Sequence, residues 1–401
     1  MRRRNWSAHK RWWQDGFDVW MIVAGVLVLG AGCAGPPISV GVPPEPATVI
    51  QELPTSTLPA SATPTEVPPT STSTPLPTAT PTAAPTETPT PTPTPTHPLM
   101  IEVMRQASYP GSDLVFEETL TPGSNYDRHL VSYFSEGLKI YALLTIPRGE
   151  RPNTGWPVVI FNHGYIPPDQ YRTTERYIAY TDAFSRSGYI LLRPDYRGHG
   201  FSDGEPANSF RSPAYTVDVL NAMASVMKHP DADPDRVGMW GHSMGGSIAL
   251  RAMVVTDTIK AGVVWAGVTA PHPMMLERWA QRWADRPTPT PDPNVGDYAW
   301  DEVLWRLDAV EENRAFWEAI DPFSYLDEIS GPVQIHHGTA DDSVPVEYSE
   351  ILHQALESAG QVAELFIYPN DNHNLTNNFG AAMQRSVAFF DTYLKGEGAG
   401  D

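Results

Sequence analysis

The chain has very little of three features that would each indicate a particular class of protein. It contains a single cysteine, Cys33, among 401 residues, which excludes a disulfide framework and a cluster of thiolate metal ligands. It has no uninterrupted run of 18 apolar residues, which excludes a protein with several membrane-spanning helices. Positive charge is also scarce, since 27 Lys and Arg face 47 Asp and Glu, for a formal net charge of −20. A chain this acidic is repelled by phosphate backbones, so we expect no nucleic-acid partner.

Residues 1–33 have the composition of an export signal. Five basic residues lie within the first 11, and the apolar run 19–32 follows and ends in small residues before Cys33. This end resembles the cleavage site of bacterial lipoproteins, where the cysteine thiol is lipidated, although Gly30 occupies the position that normally holds Leu. Three alternatives stay open: a lipidated Cys33, an uncleaved membrane anchor, or a cleaved signal. All three predict that the rest of the chain lies outside the cytoplasm, anchored to the membrane or secreted.

Residues 34–99 are dominated by proline and threonine. They contain 19 Pro and 17 Thr, and no Lys or Arg. Proline fixes φ and lacks a backbone donor, so this stretch can form neither a helix nor a sheet. We expect a disordered, extended linker. Residues 100–401 remain, which is enough chain for one large domain, and this is where we expect the catalytic domain.

From residue 138 onward, short apolar runs alternate with amphipathic segments. The run 157–162, Pro-Val-Val-Ile-Phe-Asn, is typical of a strand buried on both faces. Alternation of this kind predicts an α/β fold with a mostly parallel sheet and helices on both faces, and its chemistry at the carboxyl ends of the strands. Strands are predicted at 138–146, 157–162, 189–193, 236–240, 261–266, 332–336 and 363–368, and helices at 171–186, 215–228, 244–255, 347–358 and around 383–394.

Residues 269–320 interrupt this alternation. They show no strand pattern but hold five tryptophans, in two helical segments on either side of a proline-rich loop. We predict an inserted helical cap above the strand ends, with tryptophans that mainly pack against one another and in part line an apolar substrate pocket. The five are Trp279, Trp283, Trp300, Trp305 and Trp317.

A nucleophile motif follows the strand predicted at 236–240. Residues 241–246 read Gly-His-Ser-Met-Gly-Gly and lead directly into a predicted helix. A serine in a tight strand-to-helix turn has an exposed Oγ, and glycines are needed where the turn crosses its neighbours. The pattern predicts Ser243 as a nucleophile.

A serine hydroxyl requires a base that is itself oriented by a carboxylate. His373 lies in the loop after the strand predicted at 363–368, and Asp341 lies in the loop after the strand predicted at 332–336. Both loops lie at the sheet edge that carries Ser243, which predicts a Ser243, Asp341, His373 triad. Asp342 and Asp371 remain open as alternative acids.

Residues 125–397 resemble the α/β-hydrolase superfamily, and within it the catalytic domain of the prolyl oligopeptidase family and its serine aminopeptidase-like relatives. The resemblance rests on the elbow at 241–246, on His-Gly-Thr-Ala-Asp-Asp at 337–342 and on Asp-Asn-His at 371–373. It implies that Asp341 is the acid. It also implies an oxyanion hole formed by the backbone N–H groups of Met244 and Tyr165.

Other polar segments are interpreted as structural. His163 is expected to shape its loop, and the stretch 195–204 resembles a structural loop of these hydrolases. The histidines lack metal-ligand spacing, so we expect no metal and no cofactor.

The resemblance implies hydrolysis of a peptide or small-molecule ester through an acyl-enzyme. The family usually carries an N-terminal β-propeller, and here a Pro/Thr linker stands in that place. A carboxylesterase or lipase-like hydrolase of small esters is therefore the first alternative. The second is a non-catalytic binding protein on a hydrolase fold.

Overall fold

The computed structural model describes residues 97–283 and 312–396, together with the side chains of all these residues except 279–283. The predicted export signal, almost all of the predicted linker and the centre of the predicted cap lie outside the described residues. In the described part of the chain, none of the helices has both the length and the apolar character that crossing a bilayer requires.

A single mixed sheet organises the fold. Its strand order is β1-β2-β3-β5-β4-β6-β7-β8-β9. The pairs β1–β2, β2–β3 and β3–β5 are antiparallel, and every pair from β5 to β9 is parallel. The strands are β1 Val115–Leu120, β2 Tyr126–Ser135, β3 Leu138–Pro147, β4 Trp156–Asn162, β5 Ile190–Pro194, β6 Ala232–His242, β7 Ile259–Trp265, β8 Val333–Gly338 and β9 Ala363–Tyr368.

Helices connect the parallel strands, as crossover connections require. A 3₁₀ segment (Pro322–Glu328) and a final π-helical turn (Asp391–Lys395) complete the described elements. The helices are α1 Ile101–Gln106, α2 Ile178–Arg186, α3 Ala214–Val226, α4 Met244–Val255, α5 His272–Trp283, α6 Arg314–Ile320, α7 Val346–Ser358 and α8 Phe379–Phe390.

The central strands β4 to β8 are buried on both faces of the sheet. In β4, Val158 and Ile160 belong to the core formed with α3, α4 and α7, whereas Val159 and Phe161 belong to the core formed with α2 and α8. Successive side chains of a strand point to opposite faces, so a strand covered on both sides needs apolar residues at every position. This explains why the central strands appear in the sequence as continuous apolar runs.

The predicted fold class is confirmed, and the predicted strands agree with β3–β9 to within a few residues. The helix predicted at 171–186 is partly wrong, because α2 begins only at Ile178. Arg176 and Tyr177, with φ of 57° and 48°, are left-handed and stop a helix from extending through them. The antiparallel strands β1 and β2 and the short α1 were not predicted.

Two described helices lie within the predicted cap, α5 at its start and α6 at its end. Of its five tryptophans, Trp317 has a described side chain, and it is buried in a small cluster with Leu99, Met275 and Ile320. The cap boundaries stay a prediction.

Candidate active site

The turn between β6 and α4 holds Ser243 in a strained backbone conformation. Its φ of 55° and ψ of −120° lie in a region that costs a residue with a side chain about 1–3 kcal/mol. Three backbone hydrogen bonds stabilise it. The Ser243 N–H donates to the Trp265 carbonyl at 3.0 Å, and the Ser243 carbonyl accepts from Gly246 at 3.0 Å and Val268 at 3.1 Å. The turn therefore has the geometry of a nucleophile elbow.

Two glycines make this turn possible. A Cβ on Gly245 would overlap the carbonyl oxygen of Asn162 at the end of β4, and a Cβ on Gly241 would overlap the carbonyl of Gly245. Neither neighbour is a flexible side chain that could move aside. The glycines of the motif thus allow α4 to begin in direct contact with the carboxyl end of the sheet.

The carboxylate of Asp341 is surrounded by donors. Oδ2 lies 2.7 Å from Nδ1 of His373 and 3.0 Å from Nε2 of His337. Oδ1 accepts from the backbone N–H groups of Ser343 at 2.8 Å and Val344 at 2.9 Å. Burial alone would raise the pKa of Asp341, but the hydrogen bonds from His337, His373 and Val344 and the charge of His373 together hold this pKa well below its usual range. The side chain is 1 % exposed and ionised at neutral pH.

The carboxylates of the two alternative acids accept hydrogen bonds from other donors than His373. Asp342 is exposed, and its carboxylate accepts a hydrogen bond from the Ser343 hydroxyl. Asp371 is buried, and its carboxylate accepts from the backbone N–H groups of Asn372, Asn377 and Asn378 and from the Asn378 amide. Asp371 therefore orders the loop that leads into α8, whereas Asp341 is the carboxylate that contacts His373.

The hydrogen bond to Asp341 determines the proton positions on His373. A carboxylate only accepts, so Nδ1 of His373 carries the hydrogen and Nε2 of the neutral ring is the basic nitrogen. The side chain is 17 % exposed, so this ring is open to a substrate or solvent on one side.

The loops that carry the predicted residues adjoin one another. Nε2 of His242, the residue before Ser243, lies 3.0 Å from the carbonyl oxygen of His373. The centroids of the two imidazole rings are 4.6 Å apart. A Cβ on Gly164, in the loop after β4, would lie 3.1 Å from Cβ of Ser243. The loops after β4, β6, β8 and β9 thus converge at one edge of the sheet.

The loop after β4 carries the amide that is predicted to complete the oxyanion hole. The Gly164 N–H donates to the hydroxyl of Tyr177 at 3.0 Å, so this amide already has a partner. The next amide is that of Tyr165, which the family resemblance implies as an oxyanion donor together with Met244, the first residue of α4. This pair stays a prediction.

The segment 195–204 is held in place by buried polar contacts. Arg197 forms a bidentate ion pair with the buried Asp218 of α3, with contacts of 2.7 Å and 3.0 Å. Asp203 accepts from the backbone of Lys139 at 3.0 Å, which joins the segment to β3. The His163 ring stacks on Tyr196 with centroids 4.3 Å apart, and burial lowers the pKa of His163 well below its usual range. These contacts anchor the loop that follows β4 to the rest of the domain.

Three residues of the site were not assigned a role from the sequence. His337 donates to Asp341 from Nε2 and accepts from the Ser349 hydroxyl at 2.6 Å through Nδ1. Tyr177 falls inside the helix predicted at 171–186, and His242 occupies the variable position of the elbow motif. The signal that could have identified His337 is its position four residues before Asp341.

In residues 97–283 and 312–396, no group of three or more His, Cys, Asp or Glu is arranged to hold a metal ion.

The chain is similar in sequence to known peptidases. It is 27% identical over 254 residues to a protein named uncharacterized peptidase YuxL from Bacillus subtilis, an alignment that spans 61% of this chain and 35% of that protein. The chain thus spans about a third of the length of this relative.

Solved structures share the fold. The acylaminoacyl peptidase of Pyrococcus horikoshii superposes with a TM-score of 0.52 at 18% identity, over 69% of this chain and 43% of that one. Acetyl xylan esterase 1 from Thermoanaerobacterium superposes with a TM-score of 0.50 at 20% identity, over 72% of this chain and 90% of that one. A model of the prolyl oligopeptidase family matches residues 176–397, more than half of the chain. The chain therefore belongs to the prolyl oligopeptidase family of serine hydrolases.

Proposed function

We propose that this protein hydrolyses peptide or ester acyl bonds with Ser243 as nucleophile, His373 as base and Asp341 as the carboxylate that orients the base. One observation carries the proposal: His373 hydrogen-bonds to a buried, ionised Asp341 in a loop that contacts the strained turn of Ser243. A serine exposed on such a turn is activated when an oriented imidazole takes its proton.

The proposed reaction has two steps. The Ser243 oxygen attacks the substrate carbonyl, Nε2 of His373 takes the hydroxyl proton, and the same nitrogen returns it to the leaving amine or alcohol. Water then attacks the acyl-enzyme, giving a proton to His373, and the carboxylic acid leaves as the proton returns to Ser243. Asp341 keeps the hydrogen of His373 on Nδ1 throughout and stabilises the imidazolium.

We assign the oxyanion hole to the backbone N–H groups of Met244 and Tyr165. Met244 is the first residue of α4, where unpaired amide donors point toward the helix start. Removing one such donor typically costs about 3–4 kcal/mol in the transition state, so the position of the loop after β4 strongly affects the rate.

Two substrate classes are candidates, peptides and small esters. The similarity to the peptidase YuxL favours a peptide substrate. The share of each solved structure that the chain covers favours a small ester. This share is 90% of the acetyl xylan esterase but only 43% of the acylaminoacyl peptidase. We place peptides first, because the sequence match to YuxL is the stronger likeness.

The test compares hydrolysis of p-nitrophenyl acyl esters with hydrolysis of aminoacyl and prolyl p-nitroanilides by the wild-type chain and by Ser243→Ala. We expect Ser243→Ala to abolish turnover of every substrate that the wild-type chain cleaves. Anilide rates within about tenfold of ester rates support the peptidase, because amides are the harder substrates and need leaving-group protonation. Ester turnover without anilide turnover supports the esterase. A folded wild-type chain that cleaves neither class would contradict the proposal and favour a binding protein.

A further inference from the structure

A chain of hydrogen bonds beneath the candidate site links two loops that the reaction needs. It begins at the Gly164 N–H, which lies 3.0 Å from the Tyr177 hydroxyl oxygen. The same oxygen lies 2.8 Å from Nδ1 of His242. Nε2 of His242 lies 3.0 Å from the carbonyl oxygen of His373. The chain thus runs from the loop of the predicted oxyanion donor Tyr165 to the backbone of the predicted base.

The two ends of this chain fix the direction of every bond in it. An amide N–H only donates and a carbonyl oxygen only accepts, so Nε2 of His242 must carry a hydrogen. Nδ1 of the neutral ring then accepts, and the Tyr177 hydroxyl donates to it while accepting from Gly164. Each of the four groups is satisfied in a single arrangement.

The surroundings keep His242 in this neutral form. The residue is 3 % exposed, and its ring packs against Trp240 and Tyr177. Burial first, and the charge of His373 second, lower the pKa of His242 to about 3. The hydrogen-bond direction is therefore the same across the neutral pH range.

Tyr177 reaches this position through a strained turn. Arg176 and Tyr177 are consecutive left-handed residues that carry side chains, a conformation that persists only where other contacts impose it. The buried guanidinium of Arg193 supplies those contacts. It donates to the carbonyl oxygens of Arg176 at 2.8 Å and Glu175 at 3.0 Å, and to that of Thr173. The Arg193 contacts thus stabilise the strained turn at Arg176 and Tyr177. This turn brings the Tyr177 hydroxyl between Gly164 and His242.

We propose that Tyr177 and His242 are positioning residues that hold the oxyanion loop and the loop of His373 in a fixed relation to Ser243. Neither residue is required to touch the substrate. The inference rests on the proposed hydrolase function, because it assigns these residues a role in that reaction.

The test measures kcat and KM for Tyr177→Phe and His242→Leu on the best ester substrate. Both variants keep the volume and remove the polar links. We expect kcat to fall about tenfold in each, less than the roughly 100-fold or greater loss when an oxyanion donor is removed, with KM within about twofold. The kcat of the double variant should be no lower than that of the single variant with the lower kcat, because both residues act through the same chain of hydrogen bonds. His242→Gln, which can still donate to the His373 carbonyl, should recover part of kcat.

Tyr189→Phe is the matched control. Tyr189 is a buried tyrosine of the α2–α8 core, against which the partly buried Tyr177 also packs, and its hydroxyl bonds to Asp391 at 2.7 Å. This variant should show a thermal stability loss like that of Tyr177→Phe while kcat stays unchanged. A kcat of Tyr177→Phe within twofold of wild type, or an equal kcat loss in Tyr189→Phe, would overturn the inference while leaving the hydrolase function intact. A folded wild-type chain that hydrolyses no substrate would instead overturn the hydrolase function and this inference with it.

Discussion

Nδ1 of His373 and Oδ2 of Asp341 lie 2.7 Å apart, although the two residues belong to loops after different strands. The parallel pairing of β8 with β9 brings these loops side by side, since the pair ends in register at Gly338 and Tyr368. Backbone hydrogen bonds then join them, with Ala340 donating to the Asp371 carbonyl at 2.8 Å. The pair is therefore positioned by the sheet itself.

Asp341→Asn should lower kcat by about 10⁴-fold, because an amide at this position favours the wrong tautomer of His373. Steady-state kinetics on an ester substrate measures this loss. Asp342→Asn is the matched control, since Asp342 is the exposed neighbour that bonds to Ser343. A greater loss in Asp342→Asn than in Asp341→Asn would show that the acid is assigned to the wrong residue.

Gly245→Ala should destabilise the domain by about 3 kcal/mol or more, because its methyl group would overlap the backbone oxygen of Asn162. Urea unfolding followed by circular dichroism measures the change. Gly380→Ala is the control, since a Cβ at Gly380 in α8 would have nothing within 4 Å and alanine favours a helix. Equal stability of the two variants would contradict the close contact of α4 with β4.

Stability should fall as the pH decreases from about 6.5 toward 4. Burial lowers the pKa of His242 to about 3, of His336 to about 3 and of His199 to about 4. These histidines take up protons near pH 6.5 in the unfolded chain but stay neutral in the folded one, so acid favours unfolding. The lowered pKa of Asp341 adds a loss at the acid end, below the unfolded pKa of about 4.

Two carboxyl groups act in the opposite direction, since burial raises the pKa of Asp195 and that of Asp218. Burial raises the pKa of Asp195 to about 7, so the folded chain binds an extra proton there between about pH 4 and 7, and acid favours folding through this residue. Among the described residues, seven histidines with pKa values lowered by burial outnumber these two carboxyl groups, so the net effect is acid destabilisation. The seven are His129, His163, His199, His229, His242, His272 and His336. Thermal melts between pH 7 and 4.5 test this balance, and a melting temperature that rises on acidification would contradict it.

We propose that residues 1–33 act as an export signal that directs the chain out of the cytoplasm, and that Cys33 is lipidated. Expression of the full chain in bacteria with labelled palmitate should then give a labelled protein, and Cys33→Ala should lose the label. Mass spectrometry of the mature N-terminus checks this. An unmodified Cys33 would contradict lipidation, and a chain that retains residues 1–32 would indicate an uncleaved anchor.

The central strands and the elbow could be predicted because their signals are local. The run 157–162 is apolar at every position, and Gly241, Ser243 and Gly245 form a pattern whose spacing follows from one tight turn. The alternation of strands and helices then indicates which loops share an edge of the sheet, which is why Asp341 and His373 could be paired. The strand β1 was missed because it lies at the sheet edge and is mostly exposed, so it lacks a clear apolar pattern.

The supporting contacts could not be predicted because they depend on tertiary structure. Tyr177 lies in a segment with helical character in the sequence, and the contacts of Arg193 with its carbonyl oxygens stabilise a left-handed turn there. The role of His242 depends on two distant backbone groups, the Gly164 N–H 78 residues before it and the His373 carbonyl 131 residues after it. Such contacts arise from the folded topology and leave no periodic signal.

The most direct test of an activated Ser243 is reaction with a fluorophosphonate, in which the serine oxygen displaces fluoride and forms a stable phosphonyl ester. The account predicts a mass increase of one phosphonyl group per chain at neutral pH, on the peptide that contains Ser243. It also predicts no increase in Ser243→Ala and labelling slowed by at least about 100-fold in His373→Ala. A folded wild-type chain that stays unlabelled, or a label on another residue, would contradict it.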